Sequence, residues 1–308
     1  MTDREVYDPD HQPPMPFAAA DAYARLVMGW AREPLPEAVL VERDLAFGAH
    51  RHQCYNVFAP RAAGAGADVR GTALPVLVFW HGGGWTNGYR DYVSFMAPHV
   101  AALGMLLVAP SYRLAPEWPL PAACEDALSL LADLQRRLPQ WGGAADQVYL
   151  SGHSAGGHLA ALTALRAAER AGAGLSDGMI RGCLPISGIM DLHDPAPQPG
   201  SLEERVYTTV LKDCDPVLDT TLGPLYWAAG NRVPFALTFG EHDSARAIKS
   251  NRRLCALLQR QSAPVTCDER IGLDHFQTHT TLRSGEDPWY KRLAAMVAAD
   301  KKMKGQVQ

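Results

Sequence analysis

The sequence lacks any segment that would place it in or across a membrane. No apolar run reaches the ~18–20 residues that a spanning helix needs, and Met1–Asp10 has no apolar core of signal-peptide length. Six cysteines are scattered without a CxxC pair, a pattern typical neither of a zinc site nor of a small disulfide scaffold. We therefore expect no membrane insertion, buried free thiols and a cytoplasmic location.

The sequence also has no excess of positive charge, with 29 Lys and Arg residues against 33 Asp and Glu residues. The formal net charge of the 308 residues is −4, so no basic field is available to attract phosphate backbones. This balance argues against nucleic acid as a partner. Hydrophobic residues make up 47% and charged residues 20%, which is typical of a globular protein with a sizeable core. No internal repeat is found, and nothing indicates an oligomeric state.

Between the two ends of the chain, short apolar runs alternate with helical patterns. A first hairpin is predicted at Val39–Phe47 and Cys54–Phe58, followed by buried strands at Val76–Trp80, Met105–Ala109, Val148–Ser151, Cys183–Ser187 and Phe235–Phe239 and a last strand at Pro264–Arg270. Helices are predicted at Ala18–Trp30, Ala122–Arg137, Ala155–Ala171, Ala245–Gln261 and Pro288–Ala299. The alternation predicts the α/β class, with a mostly parallel sheet of about eight strands and helices on both faces.

The same pattern predicts one domain over residues 36–300, with a surface connector at Arg61–Gly71. Residues 1–35 form a proline-rich arm and a helix that we expect to contribute to a small cap. Residues 194–233 interrupt the alternation and are too long for a structureless loop. We interpret them as a partly helical, cap-like excursion over the carboxyl edge of the sheet, where ligands bind in open α/β folds. Residues 301–308 are expected to be a solvated tail.

The segment Gly152–His153–Ser154–Ala155–Gly156 stands between a predicted strand and a predicted helix. A serine hydroxyl becomes nucleophilic when a tight turn exposes it beside a base. Gly-x-Ser-x-Gly alone is a weak signal in a chain with 27 glycines, but the strand before it and the helix after it favour a nucleophile elbow. Ser154 is the candidate nucleophile, and the backbone N–H of Ala155 would face an oxyanion.

A glycine triplet, Gly82–Gly83–Gly84, follows an apolar strand upstream of Ser154. Consecutive backbone N–H groups in such a loop can stabilise a tetrahedral oxyanion, typically by ~3 kcal/mol each. A phosphate-binding loop would carry Lys-Ser/Thr close behind, and none follows. Gly83 and Gly84 are therefore candidate oxyanion donors alongside Ala155, and His81 is expected to order the loop.

The acid and the base of a triad should follow the serine in that order. Asp243 comes just after the strand Phe235–Phe239 and is the preferred acid, with Glu241 as the alternative. His275 follows the last predicted strand and is the preferred base, with His279 as its competitor. A site above these residues would be roofed by Trp85, Tyr89 and the 194–233 excursion.

These motifs resemble a known family. The pairing of His81-Gly-Gly-Gly-Trp85 with Gly152-His-Ser-Ala-Gly-Gly157, together with Ser111-Tyr-Arg-Leu-Ala-Pro-Glu117, is similar to the hormone-sensitive-lipase-like esterases and the related arylformamidases of the α/β-hydrolase superfamily. The resemblance covers roughly residues 40–282. Where those esterases carry Asp-Pro-Leu-x-Asp-Glu, this chain has Asp243-Ser-Ala-Arg246, which looks more like the arylformamidases.

The resemblance implies the α/β-hydrolase fold, the catalytic roles already suggested for Ser154, Asp243 and His275, and no metal or other cofactor. It implies a serine hydrolase that cleaves small carboxylic esters or aryl formamides through an acyl-enzyme. Amidase or thioesterase activity on the same triad stays open, because a fold does not fix a substrate. A further alternative is a catalytically silent protein that binds small molecules on this scaffold.

Overall fold

A computed structural model describes Gln12, Met15 and residues 17–61, 73–215 and 217–305. Most of the predicted arm and connector lie outside the described residues. Eight strands form one sheet in the order β1-β2-β4-β3-β5-β6-β7-β8. The strands are β1 (Val39–Ala46), β2 (Cys54–Pro60), β3 (Leu74–Trp80), β4 (Leu106–Pro110), β5 (Gly143–His153), β6 (Ile180–Ile186), β7 (Phe235–His242) and β8 (Val265–Asp274).

The sheet is mostly parallel. β3 pairs in parallel with β4 and β5, and β5 to β8 continue in parallel across the sheet. β2 is antiparallel to both β1 and β4. The predicted hairpin, the eight strands and the α/β-hydrolase fold are confirmed. Because β3, β5, β6, β7 and β8 run in one direction, their carboxyl ends meet at a single edge.

Helices cover both faces of the sheet because every central strand is apolar on both sides. In β3, Val76, Val78 and Trp80 belong to one buried core, and Leu77 and Phe79 to the other. The helices in chain order are α1 (Ala18–Ala31), α2 (Ala97–Ala102), α3 (Leu120–Arg137), α4 (Ala155–Leu165), α5 (Ala167–Gly172), α6 (Leu202–Arg205), α7 (Leu218–Thr221), α8 (Ala245–Leu258), α9 (Gln277–Thr280) and α10 (Pro288–Gly305). No helix within the described ranges is long and apolar enough to cross a membrane.

Two helix boundaries differ from the prediction by more than three residues. The predicted helix Ala155–Ala171 is split at Arg166, whose ψ of 72° ends α4. Arg170 donates hydrogen bonds to the carbonyl oxygens of Thr163 and Ala164, so a side chain satisfies acceptors that another helical turn would have used. At the other end, α10 continues to Gly305, beyond the predicted end of that helix at Ala299.

The excursion contains α6, a π-helical turn at Val206–Val210, α7 and a 3₁₀ turn at Pro224–Trp227. Val206, Val210 and Leu222 are buried against the core. His158 of α4 donates a hydrogen bond from its Nε2 atom to the carbonyl oxygen of Leu222 at 2.7 Å. This hydrogen bond ties the excursion to the helix that follows Ser154.

Candidate active site

Ser154 occupies the turn between β5 and α4. Its backbone conformation, with φ 55° and ψ −117°, is one that residues other than glycine rarely adopt. The flanking glycines are needed because the chain approaches β3 closely. A Cβ on Gly156 would lie 2.1 Å from the carbonyl oxygen of Trp80, and one on Gly152 would lie 2.4 Å from the Gly156 carbonyl. The turn thus holds Ser154 at the carboxyl edge of the sheet.

The structure brings the three preferred residues together. His275 Nε2 lies 2.9 Å from Ser154 Oγ, and His275 Nδ1 lies 2.7 Å from Asp243 Oδ1. Asp243 follows the end of β7 and His275 follows β8, while Ser154 follows β5. The parallel strands therefore place a hydroxyl, an imidazole and a carboxylate at one edge of the sheet, where the imidazole is hydrogen-bonded to both of the other groups.

Asp243 is buried, and burial alone would raise its pKa. The hydrogen bond and charge of His275, with the hydrogen bond from the Ser244 backbone N–H at 2.7 Å, outweigh burial and hold the pKa below its ordinary value. Ser187 also lowers the pKa of Asp243, although the Ser187 hydroxyl is hydrogen-bonded to Thr278 Oγ1. Asp243 Oδ2 accepts no hydrogen bond within the described part of the chain. The carboxylate is consequently directed at His275.

The two alternatives are engaged elsewhere. Glu241 is exposed and accepts a hydrogen bond from the Gly272 backbone N–H at 2.8 Å. His279 is fully buried, its Nδ1 atom is hydrogen-bonded to the Tyr23 hydroxyl at 2.8 Å, and its ring stacks on Phe79. Burial lowers the pKa of His279 to about 3. Neither residue has the geometry of a catalytic partner for Ser154.

The backbone of the base is held by two hydrogen bonds. His153 Nε2 donates to the carbonyl oxygen of His275 at 2.8 Å, and Thr278 Oγ1 donates to the same oxygen at 2.8 Å. The carbonyl acceptor fixes the proton of His153 on Nε2. His153 is fully buried, and burial places its pKa well below the ordinary value. A role for Thr278 was not foreseen, since only the folded α9 brings its hydroxyl back onto this carbonyl.

The glycine loop lies on the other side of Ser154. Gly83 and Gly84 have φ values of 124° and 61° and line the same cavity as Ser154 and His275. A Cβ on Gly83 would lie 2.2 Å from the Asn87 carbonyl oxygen. Ala155 is the first residue of α4, where a backbone N–H has no acceptor within the helix. This placement is compatible with the predicted oxyanion donors.

Three side-chain contacts order this loop. His81 Nδ1 donates to the Gly82 carbonyl oxygen at 2.7 Å, and its ring stacks on Tyr112 at 4.4 Å. Burial lowers the pKa of His81 to about 4, so it is neutral at physiological pH. The side-chain amide of Gln12 pairs with both the N–H and the carbonyl of Gly88. His81 is thus a loop-ordering residue, and the described part of the N-terminal arm lies against the loop.

A cavity of about 240 Å³ opens above Ser154. It is mostly apolar, and its walls come from the N-terminal region, the glycine loop, the triad and the excursion, including Phe17, Tyr23, Trp85, Ile189, Val206 and Phe276. Trp85 was expected here and lines the cavity. Tyr89 does not: it is buried beside the 3₁₀ turn Arg90–Met96, with the Arg90 guanidinium 4.1 Å from its ring.

A larger cleft of about 810 Å³ lies between the excursion and α8. It has Asp191, His193 and Lys249 on its walls and does not reach Ser154 or His275. His193 is paired there with Asp219 at 2.8 Å. Among the described residues around this cleft, no hydroxyl is hydrogen-bonded to a histidine, so we place the chemistry in the smaller cavity. Across the ranges that the structure describes, no cluster of three or more His, Cys, Asp or Glu side chains could hold a metal.

A family model described as the alpha/beta hydrolase fold matches residues 77–276. Among curated proteins, the chain is similar to carboxylesterase NlhH of Mycobacterium tuberculosis, with 33% identity over 187 residues that cover 56% of each protein. It is also similar to esterase LipQ of the same organism, with 28% identity over 70% of this chain and 53% of the relative. The chain therefore spans little more than half the length of these relatives.

Solved structures share the fold. The inhibited esterase B of Lactobacillus rhamnosis superposes with a TM-score of 0.77 at 23% identity, covering 94% of this chain and 96% of that one. The hyperthermophilic esterase of the archaeon Pyrobaculum calidifontis gives a TM-score of 0.69 at 21% identity, with 92% and 91% covered. At such identities the likeness concerns the fold.

Proposed function

This chain belongs to the alpha/beta hydrolase family, and from that premise we propose that it is a carboxylesterase that cleaves small esters through an acyl-enzyme on Ser154. The observation that carries the proposal is the continuous hydrogen-bond chain from Ser154 Oγ through His275 to Asp243. The curated relatives NlhH and LipQ, which are named as esterases, support the ester as the bond attacked.

In the proposed mechanism, Ser154 Oγ attacks the ester carbonyl carbon while its proton passes to His275 Nε2. Asp243, kept ionised by its surroundings, stabilises the imidazolium and fixes its orientation. The oxyanion accepts hydrogen bonds from the backbone N–H groups of Gly83, Gly84 and Ala155. The leaving alcohol takes the proton from His275, and water then cleaves the acyl-enzyme with His275 again as base.

The size and lining of the cavity support a small substrate. About 240 Å³ lies below the usual range for drug-sized ligands. Residues of α1 and of the 194–233 excursion contribute to the walls, and we propose that these two segments form the cap of the single hydrolase domain. The six cysteines form no disulfide, which supports the proposed cytoplasmic location.

The test compares rates on 4-nitrophenyl acetate, a longer-chain 4-nitrophenyl ester and N-formylkynurenine. We expect the acetate to be turned over well and the Ser154→Ala variant to be inactive with an unchanged circular dichroism spectrum. A preference for N-formylkynurenine would establish the aryl formamide substrate, which stays a second proposal on the same triad. Turnover by the Ser154→Ala protein would overturn the assignment of the nucleophile.

A fluorophosphonate probe separates a hydrolase from a protein that only binds small molecules. Such a probe phosphonylates the serine hydroxyl and releases fluoride, so it reports the reactivity of Ser154 without a chosen substrate. We expect stoichiometric labelling of the folded wild-type chain and none of Ser154→Ala. Folded wild-type protein that resists the probe would favour the silent binding protein.

A further inference from the structure

Two arginines stand among the apolar walls of the catalytic cavity. Arg205, at the end of α6, and Arg246, in the first turn of α8, line it together with Ser154 and His275. Glu203 is the acidic side chain that shares this lining. An apolar ester would need no cationic group in its binding cavity, because desolvating a charge costs free energy unless a partner compensates it.

The two arginines differ in how they are engaged. Arg246 donates to the carbonyl oxygens of Asp191 and Leu192 at 3.2 and 2.6 Å, and its Nη1 lies 3.8 Å from Glu203. Arg246 is therefore fixed to the excursion and partly neutralised. It contributes positive potential but has few free donors.

The charge of Arg205 is not compensated in this way. Its guanidinium donates a long hydrogen bond of 3.3 Å to the hydroxyl of Thr86, a neutral group next to the glycine loop. No carboxylate of the described chain forms an ion pair with it. Its guanidinium can therefore offer paired N–H donors to a planar oxyanion, the geometry in which arginine binds carboxylates.

Because the cavity is small, a molecule that reaches Ser154 must also come near its other walls. We propose that Arg205 binds a carboxylate on the substrate, so that the preferred substrates are hemiesters of short dicarboxylic acids. Arg246 reinforces the positive potential and Glu203 opposes it. This inference rests on the proposed esterase function and names its substrate class.

The test uses two esters of equal shape that differ in charge: monoethyl glutarate, which is an anion, and ethyl 4-carbamoylbutanoate, in which an amide replaces the carboxylate. Ethanol release gives kcat/KM for each. We expect the wild type to prefer the anion by about tenfold, the size of one charge-assisted hydrogen bond. We expect 0.5 M NaCl to reduce that preference by screening.

Three variants identify the cause. Arg205→Gln should lower kcat/KM for the anion much more than for the amide, and so abolish most of the preference. Glu203→Gln removes the opposing charge and should increase the preference about two- to threefold. Arg252→Gln is the matched control, since Arg252 lies on α8 as Arg246 does but pairs with Glu269 on the surface; it should change neither rate.

The outcomes separate this inference from the proposed function. If the wild type hydrolyses the amide ester through Ser154 but shows no preference for the anion, the inference is wrong and the esterase stands. If Arg205→Gln lowers both rates equally, Arg205 only holds the glycine loop through Thr86, and the inference is again wrong. If neither ester is hydrolysed and no 4-nitrophenyl ester is either, both proposals fail.

Discussion

His153 Nε2 lies 2.8 Å from the backbone carbonyl oxygen of His275, so the residue before the nucleophile holds the loop that carries the base. The two residues are 122 positions apart in sequence. Thr278 supplies the second hydrogen bond to the same oxygen. Alignment of the base with Ser154 therefore depends on a group next to the nucleophile itself.

The first prediction concerns this contact. His153→Phe keeps an aromatic ring between Tyr23 and His279 but cannot donate to the His275 carbonyl, so His275 should lose part of its alignment. We expect kcat on 4-nitrophenyl acetate to fall about tenfold, with KM changed less than twofold. His242→Asn, at an exposed histidine next to Asp243, is the control and should keep wild-type kcat.

The second prediction separates the two candidate acids. Asp243→Asn removes the charge that orients and stabilises His275, and we expect kcat to fall by about 10³–10⁴-fold. Glu241→Gln should stay within about twofold, because Glu241 is exposed and bonded to the Gly272 N–H. Equal losses in the two variants would contradict the assignment of Asp243.

The third prediction concerns the close approach at the elbow. A methyl group on Gly156 would meet the Trp80 carbonyl oxygen at 2.1 Å. We expect Gly156→Ala to lower the free energy of unfolding by about 2 kcal/mol or more and to impair activity. Gly29 is an exposed position of α1, where an added Cβ would meet no atom of the other described segments within 4 Å, so Gly29→Ala should raise stability by about 0.5–1 kcal/mol. Urea titration measures both, and a Gly156→Ala protein of wild-type stability would argue against the packed turn.

The fourth prediction follows from the buried histidines. Burial lowers the pKa of His279 and His52 to about 3 and that of His158 to about 4. In the unfolded chain a histidine has a pKa near 6.5, so below that pH the unfolded state binds more protons than the native state.

Stability should consequently be complete above about pH 6.5 and fall as the pH drops toward 4. The loss is about 1.4 kcal/mol per pH unit for each such histidine. Urea unfolding at pH 7, 6 and 5 measures how steeply the free energy of unfolding changes with pH. His158→Gln should reduce that slope by the contribution of about one bound proton. A free energy of unfolding that is constant over this range would contradict the neutral buried state of these side chains.

The elements were predictable where local pattern is strong. The apolar runs of β3, β5 and β7 and the glycines around Ser154 follow from the need to bury both faces of a parallel sheet and to turn tightly at its edge. The end of α4 was not predictable, because Arg170 stops that helix through contacts made only after folding. Tyr89 was predicted to line the cavity because the sequence shows that an aromatic ring lies near the glycine loop. The sequence does not show which side of the loop the ring occupies.

The fold class, the nucleophile turn and the order of serine, acid and histidine are predictable from the amino-acid sequence, because they depend on residue type and on spacing along the chain. The choice between Asp243 and Glu241, and between His275 and His279, required the folded arrangement of the side chains. Each pair is separated by two or four residues, and the direction in which a side chain leaves a strand end or a short helix depends on what packs against it. The isolated charge of Arg205 was likewise visible only once the excursion had been folded over Ser154.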